Sequence, residues 1–309
     1  MTKLIAEVGS NWEDLTDCLS SISIAKEAGA DAVKFQAFTE EALYGFRGEE
    51  PMKHALPLGW LPALREKADS CDIELMCTAF SPELVAAVDP FVETHKIASG
   101  DLNYPSLLVA VTRTGKPALL STGAATELEI ETAIDFLLGA QQVTLLYCVA
   151  AYPADFADLA VMDDLRDWAL PVGFSDHTLG ISMAVEASRQ GASVIEKHFT
   201  AFPELNSPDR PHSVDPGAFE RMAKAIRGVI KPRIGPTPEE GAMILRHKRR
   251  LLAVRDIKAG EILAYGVNYG AFRALENDAG LSPFDWLENE GKPAKTPIKR
   301  GRGIWGEHA

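Results

Sequence analysis

Short apolar runs bounded by turn residues alternate along most of this chain with stretches in which apolar positions recur at helical spacing. The runs, at 4–9, 32–38, 73–80, 95–100, 117–123, 143–152, 171–177 and 193–200, predict strands. Between them, helical periodicity is clearest at 15–28, 61–71, 127–138, 181–189 and 216–230. Gly29, Gly115 and Gly191 each stand just before a predicted strand, where a left-handed residue ends a helix. About eight strand-then-helix units over roughly 230 residues is the count and length of a (β/α)8 TIM barrel, an α/β fold. An open doubly wound sheet is the competing arrangement, and its usual glycine fingerprint is missing here.

The alternation breaks where Pro232, Gly235, Pro236 and Pro238 crowd together. The chain is therefore expected to divide into a barrel at 1–231, a linker at 232–247 and a small β-rich domain at 248–309. Within that last part, Ile257-Lys258-Ala259-Gly260 is echoed by Ile298-Lys299-Arg300-Gly301, which suggests two related strand-turn elements. About 60 residues make a marginal core, so this domain is expected to lean on the barrel or on another subunit.

Composition narrows the field of functions. A net charge of −13 argues against a nucleic-acid surface, so any anionic substrate must be held by a few local cations against the overall field. No apolar run approaches the roughly 20 residues that span a bilayer. The strand pattern begins at Leu4 and leaves no room for a signal peptide, which makes the cytoplasm the default location. Cys18, Cys71, Cys77 and Cys148 show no Cys-x-x-Cys pairing and lie in apolar segments, as reduced buried thiols do.

Polar residues gather at the carboxyl ends of the predicted strands, where barrels of this kind carry their active sites. Strand alternation puts Ser175 and His177 on one face and Glu196 and His198 on one face of the next strand. A lone buried histidine is usually a satisfied core residue. Two with a carboxylate at neighbouring strand ends instead fit a divalent metal with positions left open. Lys34 and Gln36 also share a face, Lys96 precedes Ser99-Gly100-Asp101, and Ser121-Thr122-Gly123 forms a short hydroxyl-glycine turn. Two ammonium groups with several hydroxyls suit a phosphate or carboxylate, whereas a purely structural reading pairs the lysines with Glu7 or Asp101.

Six ordered motifs carry a resemblance: Ile5-Ala6-Glu7-Val8-Gly9, Ala30-Asp31-Ala32-Val33-Lys34-Phe35-Gln36, Lys96-Ile97-Ala98-Ser99-Gly100-Asp101-Leu102, Gly115-Lys116-Pro117-Ala118-Leu119-Leu120-Ser121-Thr122-Gly123, Phe174-Ser175-Asp176-His177-Thr178-Leu179-Gly180 and Ile195-Glu196-Lys197-His198-Phe199-Thr200. Together they resemble the sialic acid synthase family, which makes N-acetylneuraminate and related nonulosonic acids from phosphoenolpyruvate. The tail from about 249 is similar to that family's antifreeze-like (SAF) domain. The resemblance implies that His177 and His198 hold Mn²⁺ or Mg²⁺, which polarises an open-chain amino-sugar aldehyde such as N-acetylmannosamine for attack by phosphoenolpyruvate. It implies that Lys34, Gln36, Thr78, Lys96, Ser99, Ser121 and Ser175 hold phosphoenolpyruvate, and that Tyr152 and Asp209 lie near the sugar. Glu196 and Glu7 are the candidate acid-base groups, and Arg273 of a domain-swapped homodimer would reach the partner's sugar.

The chain departs from the family's motifs at three places. Asn11-Trp12-Glu13-Asp14 stands where the family carries Asn-His-Asn/Glu-Gly, and Cys148-Val149-Ala150-Ala151-Tyr152-Pro153 where it carries Cys-Thr-Ser/Asn-x-Tyr-Pro. Ala271-Phe272-Arg273-Ala274 replaces Lys-Arg-Pro-Gly. Sugar contacts are thinned, so a pseudaminate- or legionaminate-type acceptor stays open, as does a barrel that only binds. Ice binding by the tail has no regular flat array to support it.

Overall fold

A computed structural model describes residues 1–45, 52–228, 248–273 and 280–306. Eight parallel strands close into a barrel: β1 (Lys3–Glu7), β2 (Ala32–Ala37), β3 (Glu74–Ala79), β4 (His95–Ile97), β5 (Ala118–Ser121), β6 (Val143–Tyr147), β7 (Val172–Asp176) and β8 (Val194–His198). Each predicted strand overlaps one of these. The sixth ends at Tyr147 rather than 152, so Tyr152 sits on the following loop, which bridges to Thr178 through Ala154.

Helices follow the strands: α1 (Leu15–Glu27), α2 (Glu40–Tyr44), α3 (Leu61–Ser70), α4 (Pro82–Val88), α5 (Pro105–Thr114), α6 (Glu127–Phe136), α7 (Val161–Arg166), α8 (Ser182–Arg189) and α9 (Pro216–Arg227). Their starts are written locally. Asp14, Thr39, Ser81, Thr126 and Asp215 cap α1, α2, α4, α6 and α9, each side chain accepting an otherwise unpaired backbone N–H. Gly115 closes α5 at φ 70°, a left-handed conformation that a side chain would strain.

Strand alternation splits the barrel into two environments. Leu4, Ala6, Val33, Phe35, Leu75, Cys77, Leu120, Leu145, Phe174 and Ile195 face outward into the apolar layer formed with the helices. Inside, Ile5, Ala32, Met76, Leu119, Leu146 and Val194 pack into an apolar plug. The next inward-facing position on most of these strands, one pleat toward the carboxyl end, is polar: Glu7, Lys34, Thr78, Ser121 and Glu196. Polar chemistry therefore sits on a dry floor. Outside this layer, Lys197 and Asp176 form an ion pair of 2.9 Å between adjacent register partners, with neither side chain exposed.

The chain divides into two compact units, Met1–Lys231 and Pro232–Ala309. The proline-rich segment expected as a linker lies outside the described residues. The second unit pairs β9 (Arg249–Ala253) with β10 (Tyr269–Arg273) antiparallel around a core of Leu251, Ala253, Ile257, Leu263, Tyr269, Ala294, Ile298 and Ile304. The echoed segments meet there: Ile257 and Ile298 exchange backbone hydrogen bonds of 2.8 and 2.9 Å. Gly260 and Gly301 stand at φ 81° and 82° in equivalent turns, which explains the glycine in both copies. No described helix is long and apolar enough to cross a membrane.

Candidate active site

Strand register brings the polar positions side by side. Glu7 is the register partner of both Lys34 and His198, Gln36 of Thr78, Thr78 of Lys96, and Ser175 of Glu196. The result is one cavity at the carboxyl end of the barrel. Glu7, Lys34, Gln36, Thr78, Lys96, Ser99, Ser121, Tyr152, Ser175, His177, Glu196 and His198 all line it, together with Phe80, Ala98 and Cys148. Asp209 lines the wider mouth above with Tyr152, His198 and His212. Arg273 is exposed at the end of β10 in the second unit.

Two ammonium groups and two carboxylates form the floor. Lys34 Nζ lies 2.7 Å from Glu7 and 3.6 Å from Glu196, and donates to Thr78 Oγ1 at 2.9 Å. Lys96 Nζ lies 3.8 Å from Glu196. The structural pairing of Lys34 with Glu7 thus exists, but both lysines also converge on Glu196, which Asp101 does not share. Burial raises the Glu7 carboxyl above its ordinary range, with the Glu196 charge adding to this against the pull of Lys34. Burial acts on Glu196 the same way, yet Lys34 and Lys96 outweigh it and hold its pKa at about 2. Burial also lowers the Lys96 ammonium, against the attraction of Glu196. Two adjacent carboxyls with opposite protonation tendencies are the arrangement that general acid and general base need.

The imidazoles stand at the rim. His177 Nδ1 meets the Val149 carbonyl at 2.7 Å, and because a carbonyl only accepts, the ring proton is on Nδ1. His177 Nε2 then offers a lone pair toward Ser175 Oγ at 3.4 Å, whose proton goes to Glu196 at 2.8 Å. Two lone pairs facing each other favour a cation between or beside them. Burial lowers both His177 and His198, the latter to about 3, so both rings are neutral and able to ligate near neutral pH. His198 Nδ1 is buried without a hydrogen-bond partner among the described residues. The donor set therefore fits a divalent ion.

His212 was not a candidate from the sequence. It sits on the short turn Arg210–His212 after β8, and its ring centroid is 4.6 Å from that of His198 and 5.2 Å from that of Tyr152. Its spacing from Asp209, three residues along a turn, is the sole local sign of it. The Tyr152 ring lies over His177 at 4.2 Å. At the altered motif, Trp12 is a core residue. Its indole donates to the Gly9 carbonyl at 2.9 Å and meets Trp60 and His54 edge-on. Ala150 is exposed on the loop after β6.

Known proteins match along most of the chain. Residues 21–233 match the NeuB family. The chain is similar to a pseudaminic acid synthase of Helicobacter pylori, with 31% identity over 96% of this chain and 94% of that protein. It is 34% identical to an N,N'-diacetyllegionaminic acid synthase of Campylobacter jejuni, over 86% of this chain and 88% of that one. Among solved structures, the N-acetylneuraminic acid synthetase of Leptospira borgpetersenii superposes with a TM-score of 0.73 at 29% identity, covering 79% of this chain and 90% of that one.

Proposed function

The chain belongs to the NeuB family, and we propose that it condenses phosphoenolpyruvate with an open-chain amino-sugar aldehyde to give a nonulosonic acid and phosphate. The observation that carries this reading is the convergence of Lys34 and Lys96 with His177 and His198 on one buried cavity. In the balanced reaction, C3 of phosphoenolpyruvate forms a bond to the aldehyde carbon, whose oxygen takes a proton to become a hydroxyl. Water adds at C2, and the bond from C2 to the phosphate oxygen breaks, leaving a 2-keto acid.

Lys34 and Lys96 bind the phosphate and carboxylate of phosphoenolpyruvate, with Thr78, Gln36, Ser99, Ser121 and Ser175 supplying hydrogen bonds. Ser121 Oγ is buried and has no hydrogen-bond partner among the described residues, which supports its holding a ligand. Glu7, whose carboxyl burial raises, and Glu196, whose carboxyl Lys34 and Lys96 hold low, form the acid-base pair that moves protons and orients water. His177 and His198 hold a divalent ion, Mn²⁺ or Mg²⁺. When bound, it supplies Lewis-acid stabilisation of the charge that develops on the aldehyde oxygen. Tyr152 and Asp209 contact the sugar from the mouth. The reading includes a cytoplasmic homodimer whose antifreeze-like (SAF) tail lends Arg273 to the other copy's sugar.

A pseudaminate- or legionaminate-type acceptor is favoured as the second reading by the names of two relatives above 30% identity. The test is phosphate release from phosphoenolpyruvate with Mn²⁺ across a panel of hexosamine and diacetamido-hexose aldehydes. Release with at least one aldehyde, abolished in His198→Ala, is expected. Silence across the panel from folded, Mn²⁺-bound protein would leave a binding barrel in its place.

A further inference from the structure

Resting on that reading, we propose that this chain extends the two-histidine ligand set with Asp209 and His212, so that His212 is an additional imidazole ligand to the divalent ion. His198 ends β8, and Asp209 and His212 bracket the turn that returns over the same strand end. Each of the three offers a ligand atom, and those atoms lie within 4.8 Å of one another. His198 Nδ1 stands 3.9 Å from Asp209 Oδ2, and His212 Nε2 stands 3.5 Å from Asp209 Oδ1. These separations are too long for strong hydrogen bonds and suit donors that share a cation.

The unpaired atoms support the same assignment. His198 and His212 are each only 6% exposed, yet among the described residues His198 Nδ1 and His212 Nε2 have no hydrogen-bond partner. A buried nitrogen left unpaired forfeits its solvation without return, and two of them turned toward one carboxylate call for a shared partner. Asp209 is fixed in advance. Its Oδ2 accepts the Ser10 N–H at 2.7 Å and presses so close to Gly9 that a Cβ there would come within 2.2 Å of it. The carboxylate therefore presents itself to the imidazoles without having to be ordered by the ion. Two or more imidazoles with one carboxylate favour Mn²⁺, Fe²⁺ or Zn²⁺ over Mg²⁺, which prefers oxygen and retained water.

The experiment uses the full chain, stripped of metal and titrated with Mn²⁺, with free ion read from its EPR signal. His212→Gln is expected to weaken Mn²⁺ binding by about tenfold or more. In pulsed EPR, His177→Gln is expected to keep two coordinated imidazoles, where a two-histidine site would keep one. Mn²⁺ affinity within about twofold of wild type in folded His212→Gln, or a single imidazole in His177→Gln, overturns the proposal. If His212→Gln does not fold, the imidazole count in His177→Gln decides alone. Should wild type release phosphate while His212 proves dispensable to binding, the ligand proposal fails and the synthase reading stands. Should His212 prove a ligand in a protein that turns over no aldehyde, the synthase reading fails instead.

Discussion

Replacing Lys34 with Met tests whether the four buried charges of the floor hold one another. The ammonium lies 2.7 Å from Glu7 and 3.6 Å from Glu196. At an effective dielectric of about 20 these separations correspond to gross attractions of about 6 and 5 kcal/mol. Desolvation of all three groups opposes them, so the net cost of removing the cation alone is about 3–5 kcal/mol, most of it from stranding buried carboxylates. Without its cation, Glu7 is raised further. A carboxyl whose folded pKa exceeds its unfolded value contributes most stability below about pH 4.3 and loses it as pH rises through the folded pKa. Lys34→Met should therefore be severely destabilised in urea unfolding at about pH 8 and much less so near pH 5. Adding Glu7→Gln removes the stranded charge and should restore most of the lost stability without restoring phosphoenolpyruvate binding, measured by calorimetry. A single variant within about 1 kcal/mol of wild type at the higher pH would refute the electrostatic account. Unchanged phosphoenolpyruvate affinity would remove Lys34 from the binding set.

Other outcomes follow from the same structure. Among the described residues, Lys197→Met leaves buried Asp176 with Thr178 alone as donor, so it should cost about 3–5 kcal/mol in thermal or urea unfolding; a near-neutral result would mean that the outer pair does not anchor β7 to β8. Asp101 has its pKa pushed up to about 6 from 3.8 by burial, with Lys96 partly opposing. The folded state therefore holds this proton longer than the unfolded one, and stability falls as pH rises between those values. Asp101→Asn should match wild type near the lower value and exceed it by about 1–2 kcal/mol above the upper one, allowing for solvent screening. Parallel stability curves for the two proteins would show that Asp101 is not perturbed.

Much of the barrel was legible because its signals are local. Strand runs, caps such as Thr126, and the left-handed glycine at Gly115 depend on neighbours within a few residues, and the eight strands formed where they were expected. Alternation also predicted that Ser175 and His177 share a face and that Glu196 and His198 do, since period 2 holds along any strand. The sixth strand was drawn too long because the apolar run 148–151 looks the same whether it pairs or loops.

What tertiary structure decided was which residues meet across large sequence separations. Glu7 reaches Lys34 through the β1–β2 register, and Lys34 and Lys96 both turn to Glu196. Trp12, a departure from the family motif, became core packing because Trp60 and His54 close around it. His212 joined His198 only because the loop after β8 folds back over its own strand end. Periodicity prescribes which way a side chain points within an element; the path of a loop and the closing of a barrel prescribe its company, since they depend on the packing of the whole domain at once.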